Sequence, residues 1–240
     1  MTAYYPHVGE EGTVPPVQIV EITSENQDTP EERAAFDFLY ASTKATKAEP
    51  NVHLNFNHAM SRVNLKFVPG TDPEGNPVTL TDIECYLVGI KRNGTFDTET
   101  GVAAVAEDAA VSDLRQMLNA DNDHTFTVYL LPQTIGAEGL QIEAAMTTAD
   151  SRRIYYFLEI PVSDWPEMKA GYSYNYTLTA NDYMTASPTV LEISGTDINP
   201  WTEVNKEETP DAKALGTEAK AEGSEWGEME TEEIIPVEKQ

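Results

Sequence analysis

One cysteine, Cys85, stands in 240 residues, so no disulfide can close within the chain. The apolar run 83–90 around it makes it a small buried hydrophobe rather than a reactive thiol. Positive charge is scarce as well. Fifteen Lys and Arg against forty-one Asp and Glu leave a formal net charge of -26, a field that repels phosphate backbones and anionic bilayers and excludes nucleic acid as a partner. Eighteen apolar residues never run together, and residues 1–12 show no basic stretch followed by an apolar one, so neither a membrane span nor a signal peptide is read. That leaves either a cytoplasmic protein or a mature, truncated or mis-started form of an exported one.

Catalytic signatures are missing too. No His-Glu-x-x-His, Gly-x-Ser-x-Gly, phosphate-cradling glycine loop or Cys-x-x-Cys occurs, and no carboxylate pair can be placed by spacing. His53 and His58 fall on opposite faces of an extended chain, which argues against a shared metal ion. The loops 72–76, 97–100 and 121–123 gather oxygen donors, yet none has the EF-hand spacing. Turn preference accounts for their Asp and Asn. The expectation is a protein with no catalytic residues, no cofactor and no metal.

What is present is a period of two. Hydrophobic residues at 40% of the chain suffice for a packed core in one or two domains. Val17 and Ile19 follow a Pro-Pro pair as a short edge strand with no evident partner. The run Asp28-Thr29-Pro30-Glu31-Glu32 starts a short helix towards Phe36. Alternation then predicts strands over 59–68, 78–90, 125–131, 140–147, 153–160, 172–180 and 189–193. The turn Asp-Pro-Glu-Gly-Asn returns the second of these, and 148–151 closes a hairpin. The stretch 103–118 reads as a cap at Val111-Ser112-Asp113-Leu114 before a short helix or an irregular connection. Short strands separated by turns indicate an all-β, antiparallel two-sheet sandwich. Its interior is expected to hold Val63, Leu65, Phe67, Leu87, Val128, Leu130, Phe157, Tyr174, Tyr176 and Leu178.

Beyond Trp201 the composition shifts to Glu, Ala and Lys, so 202–240 reads as an acidic tail. Within 225–237, Trp226, Met229, Ile234, Ile235 and Val237 interrupt it. A solvating tail has no use for such side chains, and they suit a donor strand that pairs with a neighbouring molecule.

Five segments, in order, resemble the fimbrillin-like (Mfa-like) family of Bacteroidetes, the subunits of type V pili. These are Ala3-Tyr4-Tyr5-Pro6, Asp37-Phe38-Leu39-Tyr40-Ala41, Phe56 to Val63 with its Phe-x-His-x-x-Ser-x-Val pattern, Leu130-Leu131-Pro132-Gln133, and Trp165 to Thr179 with Gly-x-x-Tyr-x-Tyr. The resemblance implies a transthyretin-like sandwich and a role in a surface fimbria of the outer membrane, with other pilin subunits as partners and a host protein or glycan as further ligand. It further implies two domains after a lipoprotein signal. On that comparison 1–50 is the closing remnant of the N-terminal domain, 51–201 is the C-terminal β-sandwich domain, and no lipobox cysteine is present. A remnant of that kind is expected to be weakly anchored. A standalone carbohydrate- or protein-binding module remains the other reading.

Overall fold

The computed structural model describes residues 1–7, 18–24, 27–44, 52–118, 124–137, 139–161, 167–184 and 189–201. The tail 202–240 with all five candidate donor residues lies outside them, as do Val17, Trp165 and loop 121–123. In chain order the elements are β1 (Thr2–Tyr5), β2 (Ile19–Thr23), helix α1 (Pro30–Ala34), β3 (Leu39–Ser42), β4 (Asn57–His58), β5 (Ser61–Pro69), β6 (Thr81–Lys91), β7 (Asn93–Asp97) and β8 (Val102–Val105). They continue with β9 (Val111–Leu118), β10 (Thr125–Leu130), β11 (Gln133–Thr134), β12 (Leu140–Thr147), β13 (Arg153–Ile160), β14 (Glu167–Met168), β15 (Tyr172–Ala180), β16 (Thr189–Val190) and β17 (Glu192–Pro200).

Two sheets carry most of the chain, in the orders β10-β5-β15-β17 and β16-β13-β12-β6-β9. Successive side chains of a strand point to opposite faces, so each alternating run supplies one row to a common interior. Val63, Leu65 and Phe67 of β5 meet Cys85 and Leu87 of β6, Val128 and Leu130 of β10, Ile142 of β12, and Tyr174, Tyr176 and Leu178 of β15. The result is an all-β sandwich, antiparallel except where β15 lies parallel to β5 and β16 to β13. Burial pushes the Cys85 thiol well above its ordinary range, so it stays protonated and unreactive.

A second core lies between two three-stranded sheets, β1-β3-β4 and β2-β7-β8. Ile22, Phe38, Met60, Phe96, Tyr129 and Trp201 fill it, with the Phe38 and Phe96 rings 4.9 Å apart. Gly101, at φ +73°, lets the β7–β8 turn lie against Tyr40; a Cβ there would fall 2.2 Å from the ring carbon Cγ. Strands before residue 50 therefore share sheets with strands after it: β2 with β7, and β3 with β4.

Helix α1 starts as expected, with Thr29 as the cap. The Thr29 side chain accepts from the Glu32 N–H while the Glu32 carboxylate accepts from the Thr29 N–H. Other expectations change. Residues 111–118 form a strand along the edge of β6. Leu114 and Gln116 are buried while Asp113 and Arg115 face water, an alternation that the polar residues of the run obscure. The 72–76 turn forms, closed by a Thr71–Pro77 bridge, but β6 does not pair back onto β5. It crosses to the other sheet, between β12 and β9. The last expected strand is two, since Leu191 interrupts the pairing and β17 runs on to Pro200. Phe157 is not interior. Tyr156, Leu158 and Ile160 take the inward face of β13, and Phe157, one position out of phase, points outward with Tyr155.

That assignment predicts unequal costs for adjacent truncations. Leu158→Ala should lower the unfolding free energy by about 2–5 kcal/mol and Phe157→Ala by distinctly less, read from urea denaturation midpoints at constant m-value.

Candidate functional site: the sheet edges and the exit of the C-terminal segment

A two-sheet sandwich has lateral edges where backbone N–H and C=O groups lack strand partners, and these either bind something or must be covered. The two lateral sides of this molecule are treated differently.

On the side where β10 and β9 form the edges, Ser24 and the segment 27–29 cover the gap. Gln27 is fully buried, and its side-chain amide copies a neighbouring strand. The Tyr129 N–H donates to Gln27 Oε1 at 2.7 Å, and Gln27 Nε2 donates to the Tyr129 carbonyl at 2.9 Å. The same Nε2 reaches Ser24 Oγ at 2.8 Å, and Gln116 of β9 donates from Nε2 to the Gln27 carbonyl at 2.7 Å. Arg92 completes the seal, donating from Nε to the Ser24 carbonyl and from its terminal nitrogen to the Asp113 carbonyl. Gln133 repeats the device one sheet over. Where β12 no longer accompanies β6, the Lys91 N–H donates to Gln133 Oε1 at 2.7 Å and Gln133 Nε2 donates to the Lys91 carbonyl at 3.0 Å. An amide side chain carries one acceptor and donors in one plane, like a peptide group, so a single Gln extends a ladder by one rung.

On the opposite side, among the described residues, no strand pairs with the outermost strand of the four-stranded sheet. β17 is the terminal strand of its sheet, its residues exposed along nearly the whole length. Trp201 N–H donates to the Gly171 carbonyl at 2.6 Å. In an antiparallel ladder that fixes the alternation and turns the N–H groups of Thr196 and Ile198 outward, with the donorless Pro200 at the next outward position. Ser194 is the extra residue of a bulge that bends the strand. On the other sheet, β13 is paired on its outer side, among the described residues, at Tyr156 and Phe157, against the short β16.

The C-terminal segment leaves from the end of β17, and three of the sequence motifs meet there. Trp201 is buried and stacks on the His58 ring, centroids 3.4 Å apart and planes within 10°. His58 Nδ1 lies 2.6 Å from Asp37 Oδ1. The Arg62 guanidinium sits 4.8 Å over the indole, and Tyr129 closes the other flank at 4.9 Å. Gly171, at φ +70°, donates its N–H to the Met60 carbonyl while accepting from Trp201. Phe56 and Val63 are core residues, and Ser61 Oγ donates to the Lys169 carbonyl at 2.8 Å. Every residue of the Phe-x-His-x-x-Ser-x-Val pattern thus has a packing or hydrogen-bonding task. Tyr174 and Tyr176 belong to the main core, and the Tyr174 hydroxyl donates to the Glu167 carbonyl.

The remaining candidates resolve simply. Asp72 accepts from the Asn76 N–H and side-chain amide, which hold its carboxyl below the usual range. Asp97 accepts from the Glu99 and Thr100 N–H groups. Both close their own turns, and among the described residues no His, Cys, Asp and Glu group is arranged to hold a metal ion. No helix among them is long and apolar enough to cross a membrane. Gln27 was not singled out in the sequence, and no local signal could have found it, because its partner Tyr129 is 102 residues away.

Comparison with known proteins gives one family and several structures. A family profile described as fimbrillin-like matches residues 1–201. A candidate cell adhesion protein of Bacteroides ovatus is 24% identical at TM-score 0.64, over 85% of this chain and 68% of that one. Another, of Bacteroides uniformis, is 17% identical at TM-score 0.60, over 84% and 72%. A fimbrial protein of Bacteroides vulgatus is 15% identical at TM-score 0.48, over 84% and 77%. No curated protein matches the chain.

The sealed edge predicts a measurable cost. Gln27→Leu keeps the volume but leaves the Tyr129 N–H and C=O buried without this partner. It should lower stability by about 2–4 kcal/mol, whereas Glu31→Ala on the exposed face of α1 should be near neutral in the same urea titration.

Proposed function

The chain belongs to the fimbrillin-like family, and from that premise we propose that it is a structural and adhesive subunit of a cell-surface pilus, joined to other pilin subunits by β-strand insertion and not an enzyme. The observation that carries this reading is the asymmetry of the sandwich. One lateral side is closed by Gln27, Gln116 and Arg92, while the other ends in β17, which among the described residues has no strand on its outer edge. A solvent-exposed edge invites another strand, and proteins that have no use for it cover it. Among the described residues, this chain covers one edge with a dedicated buried amide and places no strand on the other.

Strand addition takes affinity from main-chain hydrogen bonds and specificity from alternate side chains. β17 offers both, in the outward N–H groups of Thr196 and Ile198 and in the side chains of Ile193 and Ile198, which are 42% and 43% exposed. The donor in this reading is 225–237, with Trp226, Met229, Ile234, Ile235 and Val237 as the side chains that dock. The stretch between Trp201 and that segment is long enough to reach a second copy. Pro236 withholds one donor, and Glu228, Glu230, Glu232 and Glu233 require the exposed side of the pairing. Such a subunit works at the outer membrane or in the fimbrium, where its further partners are host proteins or glycans.

Two variants test the reading. A chain ending at Gly223 should fail to polymerise with competent subunits, as followed by light scattering and electron microscopy. Ile198→Pro should leave the β15 ladder intact while removing one outward donor, and the loss of about 1 kcal/mol lowers association about fivefold. If both assemble like the parent chain, a standalone binding module describes the protein better.

A further inference from the structure

The outer face of the five-stranded sheet carries a feature that neither core packing nor the open edge uses. On this face the registers place side chains in rows across the strands. One row runs Val190, Phe157, Glu143, Tyr86, Arg115, from β16 to β9. The next runs Tyr155, Ala145, Glu84. Ala145 is the smallest side chain in that second row and stands between two large ones. The surface is therefore hollowed at Ala145, with Tyr155, Phe157, Tyr86, Glu84 and Glu143 as walls around about 720 Å³, a volume within the range of small-ligand sites.

The chemistry of the walls is mixed. Tyr155 is 62% exposed, and with Phe157 and Tyr86 it presents aromatic surface around the hollow. Glu84 is fully engaged: the Tyr86 hydroxyl donates to Oε1 at 2.8 Å, Arg115 Nε donates to the same oxygen, and Arg153 donates to Oε2 at 3.1 Å. The Arg115 hydrogen bond, then that of Tyr86, holds the Glu84 carboxyl below its usual range. Glu143 sits between the Phe157 and Tyr86 positions as an exposed acceptor. Two carboxylates, Glu84 and Glu143, line the hollow, and the guanidiniums of Arg115 and Arg153 sit beyond that lining, bonded to Glu84, so that charges cancel locally in a chain whose total is -26. A cationic ligand would need carboxylates in excess there, and an anionic one guanidiniums in excess. A neutral, polyhydroxylated ligand needs what is present: flat aromatic surface for its C–H faces, and acceptors and donors side by side for its hydroxyls.

We infer that this hollow is a binding site for a neutral oligosaccharide, with Tyr155 and Phe157 as stacking surfaces, Glu143 as hydroxyl acceptor and Ala145 as the floor that admits the sugar ring. The inference rests on the adhesion reading for its cell-surface setting but requires no subunit assembly.

The test uses the full chain as a monomer, probed on an array carrying neutral hexose and N-acetylhexosamine oligosaccharides alongside sialylated and sulfated ones, with an oligolysine peptide as the cationic control. Binding to neutral oligosaccharides is expected, weakened about tenfold by Tyr155→Ala, whose loss of one stacking partner is of the order of 1.4 kcal/mol. Ala145→Phe should fill the hollow and abolish binding, Glu143→Gln should weaken it, and Val111→Ala, exposed elsewhere on the sheet, should leave it unchanged. Circular dichroism matching the parent confirms that each variant is folded; should Ala145→Phe misfold, Tyr155→Ala decides. No neutral oligosaccharide bound, binding confined to charged glycans or oligolysine, or equal binding by Tyr155→Ala would overturn the site. A loss of polymerisation in the chain ending at Gly223 leaves this result untouched, and absence of glycan binding leaves the assembly test standing, so the two readings fail separately.

Discussion

A backbone amide at the rim of a β-sheet has no partner of its own, and burying it without one costs about as much as several kilocalories of lost hydrogen bonding. That constraint governs the layout here. Gln27 is placed against Tyr129 by the Ser24 and Arg92 contacts, and in that position it closes the seam between β10 and β9. The two sheets can then meet along that seam without water entering the main core. Gln133 does the same for the end of β6, and its carbonyl-bound Nε2 also reaches Leu131. With one flank closed by amides, the other ends in β17, whose outer edge pairs with no strand among the described residues.

The junction around Trp201 ties the parts together. Its ring lies on His58, its N–H is held by Gly171, and Tyr129, whose backbone Gln27 caps, packs against its other flank. The sealed seam, the second core and the end of β17 therefore share one residue. Disturbing Trp201 would reach all three, since contacts that share a partner are not energetically independent.

Strong alternation made much of the fold readable beforehand. Residues 140–147, 153–160 and 172–180 are legible with their observed bounds because turn residues bracket them, and in 172–180 apolar and polar positions alternate without interruption. Phe157 fails within a correctly placed strand. In Tyr155-Tyr156-Phe157-Leu158 every residue is apolar enough for either face, so period alone cannot choose the phase. Residues 111–118 fail for the opposite reason, since Ser112, Asp113, Arg115 and Gln116 leave too few apolar positions to define a period. Short strands such as β1, β3 and β7 depend on partners distant in sequence, which no local window reveals. Of the functional surfaces, the motif residues around His58 were visible as a pattern. The amide caps and the hollow at Ala145 exist only once strands are in register.

The parallel pairing of β15 with β5 has a consequence in time. Arg62 and Ser173, hydrogen-bonded across that pair, are 111 residues apart, and β15 is the strand that joins β17 to the rest of its sheet. A ribosome must deliver nearly the whole of residues 1–180 before the central sheet can form, and pairings of such separation close slowly. Until then β10 and β5 stand as a two-stranded remnant, and the edge strand β17 is the last of its sheet to be placed.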